Sequence, residues 1–277
     1  MRTVFIESIT HELAAPYSRL TEAQLRRAGD APNGLFIAES LNVILAAAQA
    51  GCSPVSFLAE EKRIPAIEEA FGDRFADVPI LTASRETLEM LTGFELSRGV
   101  LSAMRRAPLP SVEEALAGAR RIAVLEGITD PTNVGSVMRS ASALGMDAVL
   151  IGANCCDPLH RRAARVSMGG VFRVPYAALP CLDENKNTVD LRIVKRLGFT
   201  TAAMALCEDS VSLEDARIMN SLKLALVFGT EGRGLSPLTI EACDMTVMIP
   251  MRNGMDSLNI AACAAIAFWQ TGQQKSR

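Results

Sequence analysis

The chain has 277 residues, of which 49% are hydrophobic and 21% are charged, and its formal net charge is -3. This composition excludes a disordered chain, and the length allows one large domain or two of ordinary size. A negative net charge argues against a protein that coats nucleic acid nonspecifically, because that mode needs many lysines and arginines to neutralise phosphates. Local basic patches do occur, and the cluster of Arg161, Arg162 and Arg165 is denser than a solvated helix face requires.

The sequence does not indicate a membrane span, a signal peptide, a disulfide framework or a metal site. No apolar run reaches the roughly 18 residues of a membrane span, and charge interrupts the N-terminus too early for a signal peptide. We therefore expect a cytoplasmic protein without a membrane partner. Seven cysteines without CxxC spacing indicate neither a disulfide framework nor a zinc site. With only His11 and His160 present, a His-rich metal site or a His-based triad has little to draw on, and we expect no metal.

The N-terminal part of the chain alternates between strand-like and helix-like segments. Strands are predicted over residues 35–38, 55–59 and 78–81, and helices over 40–50, 62–71 and 84–91. Ser40 is the expected N-cap of the first of these helices, and Gly51 is its expected stop. The pattern indicates a small α/β domain over residues 1–106.

Two closely spaced prolines follow this domain. Pro108 and Pro110 can continue neither a helix nor a strand, so residues 107–120 are predicted to be a linker and a domain boundary. The second domain is then expected to occupy residues 121–277.

The alternation restarts at Arg121. Strands are predicted over residues 122–125, 148–151, 171–176, 199–206, 224–228 and 245–249. Helices are predicted from an N-cap at Asn133 to a stop at Gly145, and over 159–167, 189–197 and 257–269. Repeated βα alternation implies a mostly parallel sheet covered by helices on both faces. The last of these helices is apolar nearly all round, which suits burial against neighbouring loops or against a second subunit.

Two special turns follow the last two predicted strands, at residues 229–234 (GTEGRG) and 252–259 (RNGMDSLN). Both strands have the composition of strands buried on both faces. Ligands of open α/β sheets bind outside the carboxyl ends of the strands, so both turns are placed to bind a small molecule. The first turn reads GxxGxG rather than GxGxxG, and no P-loop occurs. Backbone donors and acceptors at close range suit an adenine and a neutral or zwitterionic tail better than a polyphosphate.

One face of the helix predicted after Asn133 carries small residues around an arginine. Gly135, Ser136, Ser140 and Ala143 share this face with Arg139. A solvent-exposed face is usually long and charged, whereas this one would let another backbone or a ligand approach closely. A functional arginine is therefore favoured over a surface arginine.

Three segments occur in an order that is specific to one family. They are residues 133–139 (NVGSVMR), 228–236 (FGTEGRGLS), and 249–251 (IPM) with 257–259 (SLN). Together they resemble the motifs of the SpoU (TrmH) family of RNA ribose 2'-O-methyltransferases, and the resemblance covers roughly residues 122–268. Residues 165–169 (RVSMG) are similar to the family segment between the first two motifs. One departure is Ala261, where the family often has a serine.

A looser resemblance covers residues 36–101, which end on the sequence SRGVL at 97–101. This part looks like the substrate-binding domain that many members of the family carry, whose fold is similar to an RNA-binding ribosomal protein.

The resemblance implies a fold, a reaction and a set of site residues. The fold would be a mostly parallel α/β sheet whose C-terminal end forms a trefoil knot, preceded by a small α/β substrate-binding domain. The chain would be a homodimer with an active site drawn from both subunits, and it would transfer a methyl group from S-adenosylmethionine to a ribose 2'-hydroxyl of ribosomal or transfer RNA. The implied catalytic residues are Arg139, Glu231, Asn259, Asn133 and Ser257. The implied cofactor-binding residues are Leu206, Phe228, Gly229, Glu231, Gly232, Ile249, Met251, Leu258 and Asn259.

Methyl transfer is expected to depend most on Arg139. Proposals for the family cast this arginine as a general base, yet a free guanidinium holds its proton too tightly to be a good base. A phosphate-bound Arg139 could instead orient the nucleotide and stabilise the developing alkoxide, and both roles stay open. One alternative function is an RNA-binding protein of the same fold without turnover, against which the intact Arg139, Glu231 and Asn259 speak. Another is a small-molecule methyltransferase, which the extra N-terminal domain disfavours.

Overall fold

The computed structural model describes residues 1–18, 20–28, 33–92, 99–152, 154–183, 188–255 and 257–272. Ser97, Arg98 and Asp256, which belong to two of the motif segments above, lie outside the described residues. The strands are β1 Thr3–Phe5, β2 Leu35–Glu39, β3 Ser53–Ala59, β4 Ile80–Thr82, β5 Val100–Arg105, β6 Arg121–Leu125, β7 Ala148–Gly152, β8 Tyr176–Leu179, β9 Thr200–Met204, β10 Val211–Ser212, β11 Leu224–Phe228 and β12 Met245–Met248. The α-helices are α1 Ala15–Ser18, α2 Glu22–Leu25, α3 Leu41–Gln49, α4 Ile64–Phe71, α5 Arg85–Thr92, α6 Val112–Ala115, α7 Pro131–Ala143, α8 Arg161–Val166, α9 Arg192–Arg196, α10 Ala216–Met219, α11 Pro237–Ala242 and α12 Ile260–Gly272.

The chain divides into two compact units. Unit 1 comprises Met1–Pro108 and Leu159–Phe172, and unit 2 comprises Leu109–Pro158 and Arg173–Arg277. This division differs from the predicted one, in which residues 107–120 form a linker and residues 159–172 belong to the second domain. Both differences have physical causes in the side chains of the two segments.

The first cause is a stable helix inside the predicted linker. Ser111 and Glu114 form a capping box that starts α6. Val112 and Leu116 are then buried in the core of unit 2, so this segment is part of that core.

The second cause is the packing of α8 and the turn that follows it within unit 1. Arg161 and Arg165 form ion pairs with Glu39, at the end of β2. The ring of Phe172 lies 5.8 Å from that of Phe36, measured between centroids. The segment therefore shares charged and aromatic contacts with β2.

Unit 1 is built on a five-stranded mixed sheet with strand order β1-β4-β3-β5-β2. β1, β4 and β3 are parallel, and β5 is antiparallel to both of its neighbours. α3 follows β2 as predicted, and Gly51, just after the helix, has a φ of 88°. Ser40 occupies the predicted N-cap position, but it has a φ of 83° and its side chain makes no capping hydrogen bond. The conformation of Ser40 is set by the turn from β2 into α3, in which its amide donates a hydrogen bond to the Val100 carbonyl.

Unit 2 is built on a seven-stranded sheet with strand order β10-β12-β9-β11-β6-β7-β8. Every pair in it is parallel, which confirms the predicted α/β class. β11 is fully buried, as expected. β12 is only partly buried, because its outer neighbour β10 is a two-residue edge strand.

The strand predicted over residues 171–176 is displaced along the chain. Gly170–Phe172 forms a 3-10 turn, and β8 begins at Tyr176. Pro175 has no amide hydrogen for a ladder bond. Its carbonyl accepts from Val149 at 3.0 Å, so strand pairing with β7 starts beyond it.

α7 begins earlier than predicted. Its N-cap is Asp130, whose side chain accepts from the amides of Thr132 and Asn133, and Pro131 occupies the first turn. Asn133 is therefore inside the first turn, and its side chain is not used for capping. α12 begins at Ile260 rather than at residue 257 and packs against α7. A Cβ on Gly272 would lie 2.4 Å from the Leu144 carbonyl oxygen, so the end of α12 approaches the end of α7 closely.

Candidate active site

The carboxyl ends of four parallel strands lie side by side at one edge of the unit 2 sheet. β12, β9, β11 and β6 are neighbours in that order, and the motif segments follow β6, β11 and β12. From β6, the strands β7 and β8 extend to one side, while β9 to β12 lie on the other. Open parallel sheets bind ligands at such a switch point, outside the carboxyl ends of their strands.

Three side chains, one from each motif, form a hydrogen-bonded triangle at this edge. Asn133 Nδ2 donates to Glu231 Oε1 over 3.0 Å. Asn259 Nδ2 donates to the same oxygen over 2.6 Å and to Asn133 Oδ1 over 3.1 Å. The amide of Ile260 also donates to Glu231 Oε1, over 3.3 Å. The triangle ties the start of α7, the loop after β11 and the start of α12 to one carboxylate oxygen.

The triangle leaves one strong acceptor for a ligand. Glu231 is exposed, and its Oε2 accepts no hydrogen bond from the part of the chain that the structure describes. Asn259 Oδ1 accepts from the Ala261 amide over 2.9 Å. The start of α12 is therefore capped by Asn259, although the serine that the family often has is absent.

Arg139 lies on α7 and is exposed. Ser136, three residues before it, and Ser140, directly after it, are partly buried. Within the described residues its guanidinium makes no hydrogen bond or ion pair. Ser257 is likewise exposed and has no hydrogen-bond partner among those residues. The structure brings Asn133, Glu231 and Asn259 together, and it gives the polar side-chain atoms of Arg139 and Ser257 no partner among the described residues.

The loop after β11 folds back on its own start. Thr230 and Gly234 exchange two backbone hydrogen bonds of 3.0 Å, and Gly232 and Gly234 have φ values of 89° and 67°. A Cβ on Gly229 would lie 2.2 Å from the carbonyl carbon of Gly234 and 2.3 Å from the Leu235 nitrogen. Only glycine fits at Gly229, because the opposing atoms are backbone atoms that cannot give way.

The loops after β9 and β12 offer apolar surface and unused backbone amides. Leu206 and Leu258 are 64% and 40% exposed. The amides of Leu206, Ile249 and Leu258 donate no hydrogen bond within the described ranges. Phe228 differs from the other predicted cofactor residues, because its side chain is fully buried and packs edge-on against Phe268 at 5.7 Å between centroids. That side chain stabilises the core and is not placed to contact a ligand.

Glu126, directly after β6, is a buried residue that the sequence motifs did not single out. It is 4% exposed, and its carboxylate accepts from the amides of Ser236 and Val189 over 2.7 and 3.0 Å, and from the hydroxyl of Thr239. Hydrogen bonds thus satisfy this carboxylate, and one residue anchors both the end of the loop after β11 and the chain before α9. A carboxylate that directly follows a wholly buried strand is the sequence signal that could have identified it.

Two cysteine thiols of unit 2 are held in the protonated form by burial. Burial raises the pKa of the Cys155 thiol to about 11, and that of Cys243 to about 12. Both thiols are therefore protonated at neutral pH. All seven cysteines are free, and no group of three histidine, cysteine or acidic side chains among the described residues could hold a metal ion. No helix in the described part of the chain is long and apolar enough to cross a membrane.

Comparison with known proteins identifies similar chains. The profile of the SpoU rRNA Methylase family matches residues 120–269. A Mycobacterium bovis protein named an uncharacterized tRNA/rRNA methyltransferase is 38% identical over 88% of this chain and 83% of its own length. The 23S rRNA (guanosine-2'-O-)-methyltransferase RlmB of Acinetobacter baylyi is 28% identical over 77% of this chain and 84% of its own. The crystal structure of an AdoMet-bound rRNA methyltransferase from Sinorhizobium meliloti has the same fold, with a TM-score of 0.82 and 19% identity over 99% of both chains.

Proposed function

This chain belongs to the SpoU rRNA methylase family, and on that premise we propose that it transfers a methyl group from S-adenosylmethionine to a ribose 2'-hydroxyl of ribosomal or transfer RNA. The observation that carries the proposal is the triangle of Asn133, Glu231 and Asn259. It joins the three motif segments at the edge of the sheet where a ligand is expected, and it leaves the Glu231 Oε2 atom unused. A fold kept only for RNA binding would not require this arrangement.

The residues at the carboxyl edge fit S-adenosylmethionine, which when bound supplies a methyl group activated by a sulfonium. We assign to Leu206, Ile249 and Leu258 the recognition of the adenine and the amino-acid tail through their unused backbone amides. The exposed side chains of Leu206 and Leu258 supply apolar contact area. Gly229 and Gly232 would let the loop after β11 come close to the bound molecule, and we assign Met251, in the loop after β12, to the same cofactor site.

Arg139 is the proposed partner of the RNA. Its guanidinium is exposed and makes no internal hydrogen bond within the described residues, so its donors are free for a phosphate or for the developing alkoxide. Ser257 would add a hydroxyl near the same substrate. Asn133, Glu231 and Asn259 act by holding the loops in position and by offering Glu231 Oε2 to the substrate.

The function is tested by mapping 2'-O-methylated nucleotides in total RNA from cells with and without the gene. We expect at least one ribosomal or transfer RNA nucleotide to lose its methyl group without the gene. Purified protein and S-adenosylmethionine should restore the modification on the unmethylated RNA. A protein that binds this RNA but leaves the map unchanged would support the alternative of RNA binding without turnover.

We further propose that two copies of the chain associate through one face of α12. Ala262, Ile266 and Trp269 recur at helical spacing, and Ile266 and Trp269 are 42% and 59% exposed. Contiguous exposed apolar surface of this kind commonly marks a protein-protein contact. A dimer would cover it, and it would bring residues of the second copy next to the start of α12.

If the chain associates in this way, acidic substitutions on α12 should lower its molecular mass in solution. Changing Ile266→Asp together with Trp269→Glu should convert a dimer to a monomer in light scattering at micromolar concentration, because charges would be buried without partners. Leu222→Asp is the matched control, since Leu222 is 87% exposed and lies outside α12. A wild-type protein with monomeric mass and full activity would overturn the proposed dimer.

The remaining proposals concern the path of the C-terminal segment and the cellular location of the protein. We propose that the C-terminal segment is threaded into a trefoil knot, supported by the insertion of β11 between β6 and β9 and by the packing of α12 on α7. The path of the chain in a crystal structure tests this. We also propose a cytoplasmic location, where ribosomal and transfer RNAs are found, and cell fractionation tests it.

A further inference from the structure

Unit 1 contains a charged cavity that the proposed catalytic role does not use. The cavity has a volume of about 230 Å³ and is lined by Glu22, Glu39, His160, Arg161, Arg162 and Arg165. Its arginines are the cluster whose density exceeds that of an ordinary solvated helix face. With three guanidinium groups and two carboxylates, the lining carries a net charge of about +1 when His160 is neutral.

The centre of the lining is a buried carboxylate that is paired only loosely. Glu39 is 2% exposed, and its Oε2 has no hydrogen-bond partner in the described part of the chain. Its oxygens lie 3.7 Å from Arg161 Nε and 3.6 Å from Arg165 Nη1. The surface pair of Arg192 and Asp190, by contrast, closes to 2.7 Å. Glu39 therefore attracts both arginines by charge without engaging their donors in short hydrogen bonds.

The two outer arginines keep donors that can bind an anion. The Arg165 side chain is 39% exposed, and its Nη1 lies 3.6 Å from Glu39 Oε1, which is longer than a hydrogen bond. Arg162 is exposed, and its side chain makes no hydrogen bond or ion pair within the described residues. Each guanidinium carries five N–H donors in a planar fork that matches a phosphate group.

The other side of the cavity fixes the start of α8. Glu22 Oε1 accepts from the Arg161 amide over 3.1 Å, and His160 Nδ1 accepts from the Arg162 amide over 3.1 Å. His160 Nε2 lies 3.9 Å from Glu22 Oε1. These contacts hold the backbone at the start of α8, from which all three arginine side chains extend.

We propose that this cavity binds a phosphodiester of the RNA substrate, with Arg162 and Arg165 as direct contacts and Glu39 as the residue that orients Arg165. The inference rests on the proposed function, which supplies RNA as the ligand. A purely structural pair between Glu39 and the arginines would be expected to close to hydrogen-bond distance, as the pairs of Arg192 with Asp190 and of Lys195 with Asp244 do. It would also give no reason for the Arg162 side chain, which makes no internal hydrogen bond or ion pair within the described residues.

The test is the salt dependence of RNA binding. Arg162→Gln combined with Arg165→Gln should weaken binding of a short fluorescent single-stranded RNA on the order of tenfold at low salt. The slope of log K against log salt should become shallower by about 0.7 for each phosphate that the variant no longer neutralises. Arg105→Gln is the matched control: Arg105 is exposed on β5 and pairs with Leu35, roughly 13 Å along β2 from Glu39.

Further measurements distinguish an RNA phosphate from free phosphate, and failure of this site from failure of the proposed function. An unchanged salt slope in the double variant overturns the RNA site. In that case, inorganic phosphate that binds the wild type but not the variant identifies free phosphate as the ligand. Heat of S-adenosylmethionine binding should be the same in wild type and variant, as a check on folding. If methyl mapping finds no target while the variant still loses RNA affinity, the proposed function fails and the phosphate site stands.

Discussion

Arg139→Ala should stay folded, bind S-adenosylmethionine within a few-fold of wild type and lose methyl transfer by a factor on the order of a hundred or more. The reason is that Arg139 lies on α7, whereas the cofactor residues lie in the loops after β9, β11 and β12. Its guanidinium makes no contact on which the described fold depends. Single-turnover assays with labelled cofactor and the RNA identified by methyl mapping measure the loss directly.

Two further variants sharpen this prediction. Arg139→Lys should also lose most transfer, because lysine supplies a point charge without the planar fork of donors. Arg196→Ala is the matched control, since Arg196 is an exposed arginine on α9 and should transfer at the wild-type rate. A near-normal rate in Arg139→Ala would make Arg139 a surface residue, and the small side chains around it would then lack an explanation.

Gly229→Ala should weaken S-adenosylmethionine binding by roughly 5- to 150-fold. The new Cβ would meet backbone atoms of Gly234 and Leu235 at 2.2 to 2.3 Å, and relieving such overlap costs about 1–3 kcal/mol. The shift would separate Thr230 from Gly234 and would move Glu231 away from Asn133. Calorimetric titration with S-adenosylmethionine measures the loss, and thermal unfolding measured alongside shows how much of the strain destabilises the fold.

Gly198→Ala provides the control. Gly198 lies between α9 and β9, outside the proposed cofactor site, and it has a φ of 84°, but a Cβ there would meet no described atom within 4 Å. Its substitution should cost only the ~1–2 kcal/mol of left-handed backbone strain and leave the Thr230 to Gly234 pairing in place. If Gly229→Ala binds the cofactor as tightly as Gly198→Ala does, steric closure of the loop is not what shapes the site.

Local patterns were sufficient to predict most elements of unit 2. β6, β7, β9 and β11 follow from short apolar runs that end in turns, and their burial follows from parallel pairing. The meeting of Asn133, Glu231 and Asn259 was implied by motif order, because the carboxyl ends of parallel strands share one edge.

Other features depend on contacts that periodicity does not encode. The capping box at Ser111 turned a proline-flanked segment into a helix of the unit 2 core. The ion pairs of Arg161 and Arg165 involve Glu39, more than a hundred residues earlier. The role of Glu126 depends on amides from two distant segments that only the folded chain brings together. The contacts of Glu39 and Glu126 join segments that are far apart in sequence, so propensity alone could not find them, whereas the capping box is a local sequence signal.

The strand order of unit 2 also constrains the order in which the chain can fold. Among the described strands, β9 pairs only with β11 and β12, and both are synthesised later than β9 itself. During synthesis, β6, β7 and β8 can assemble early, but the apolar edge of β6 that receives β11 has no neighbour until residue 228 has left the ribosome. Pairings between strands that are far apart in sequence form slowly and leave hydrophobic surface exposed in the interval. We therefore expect nascent chains that stop before β11 to aggregate, and maturation of the protein to be limited by the insertion of this one strand.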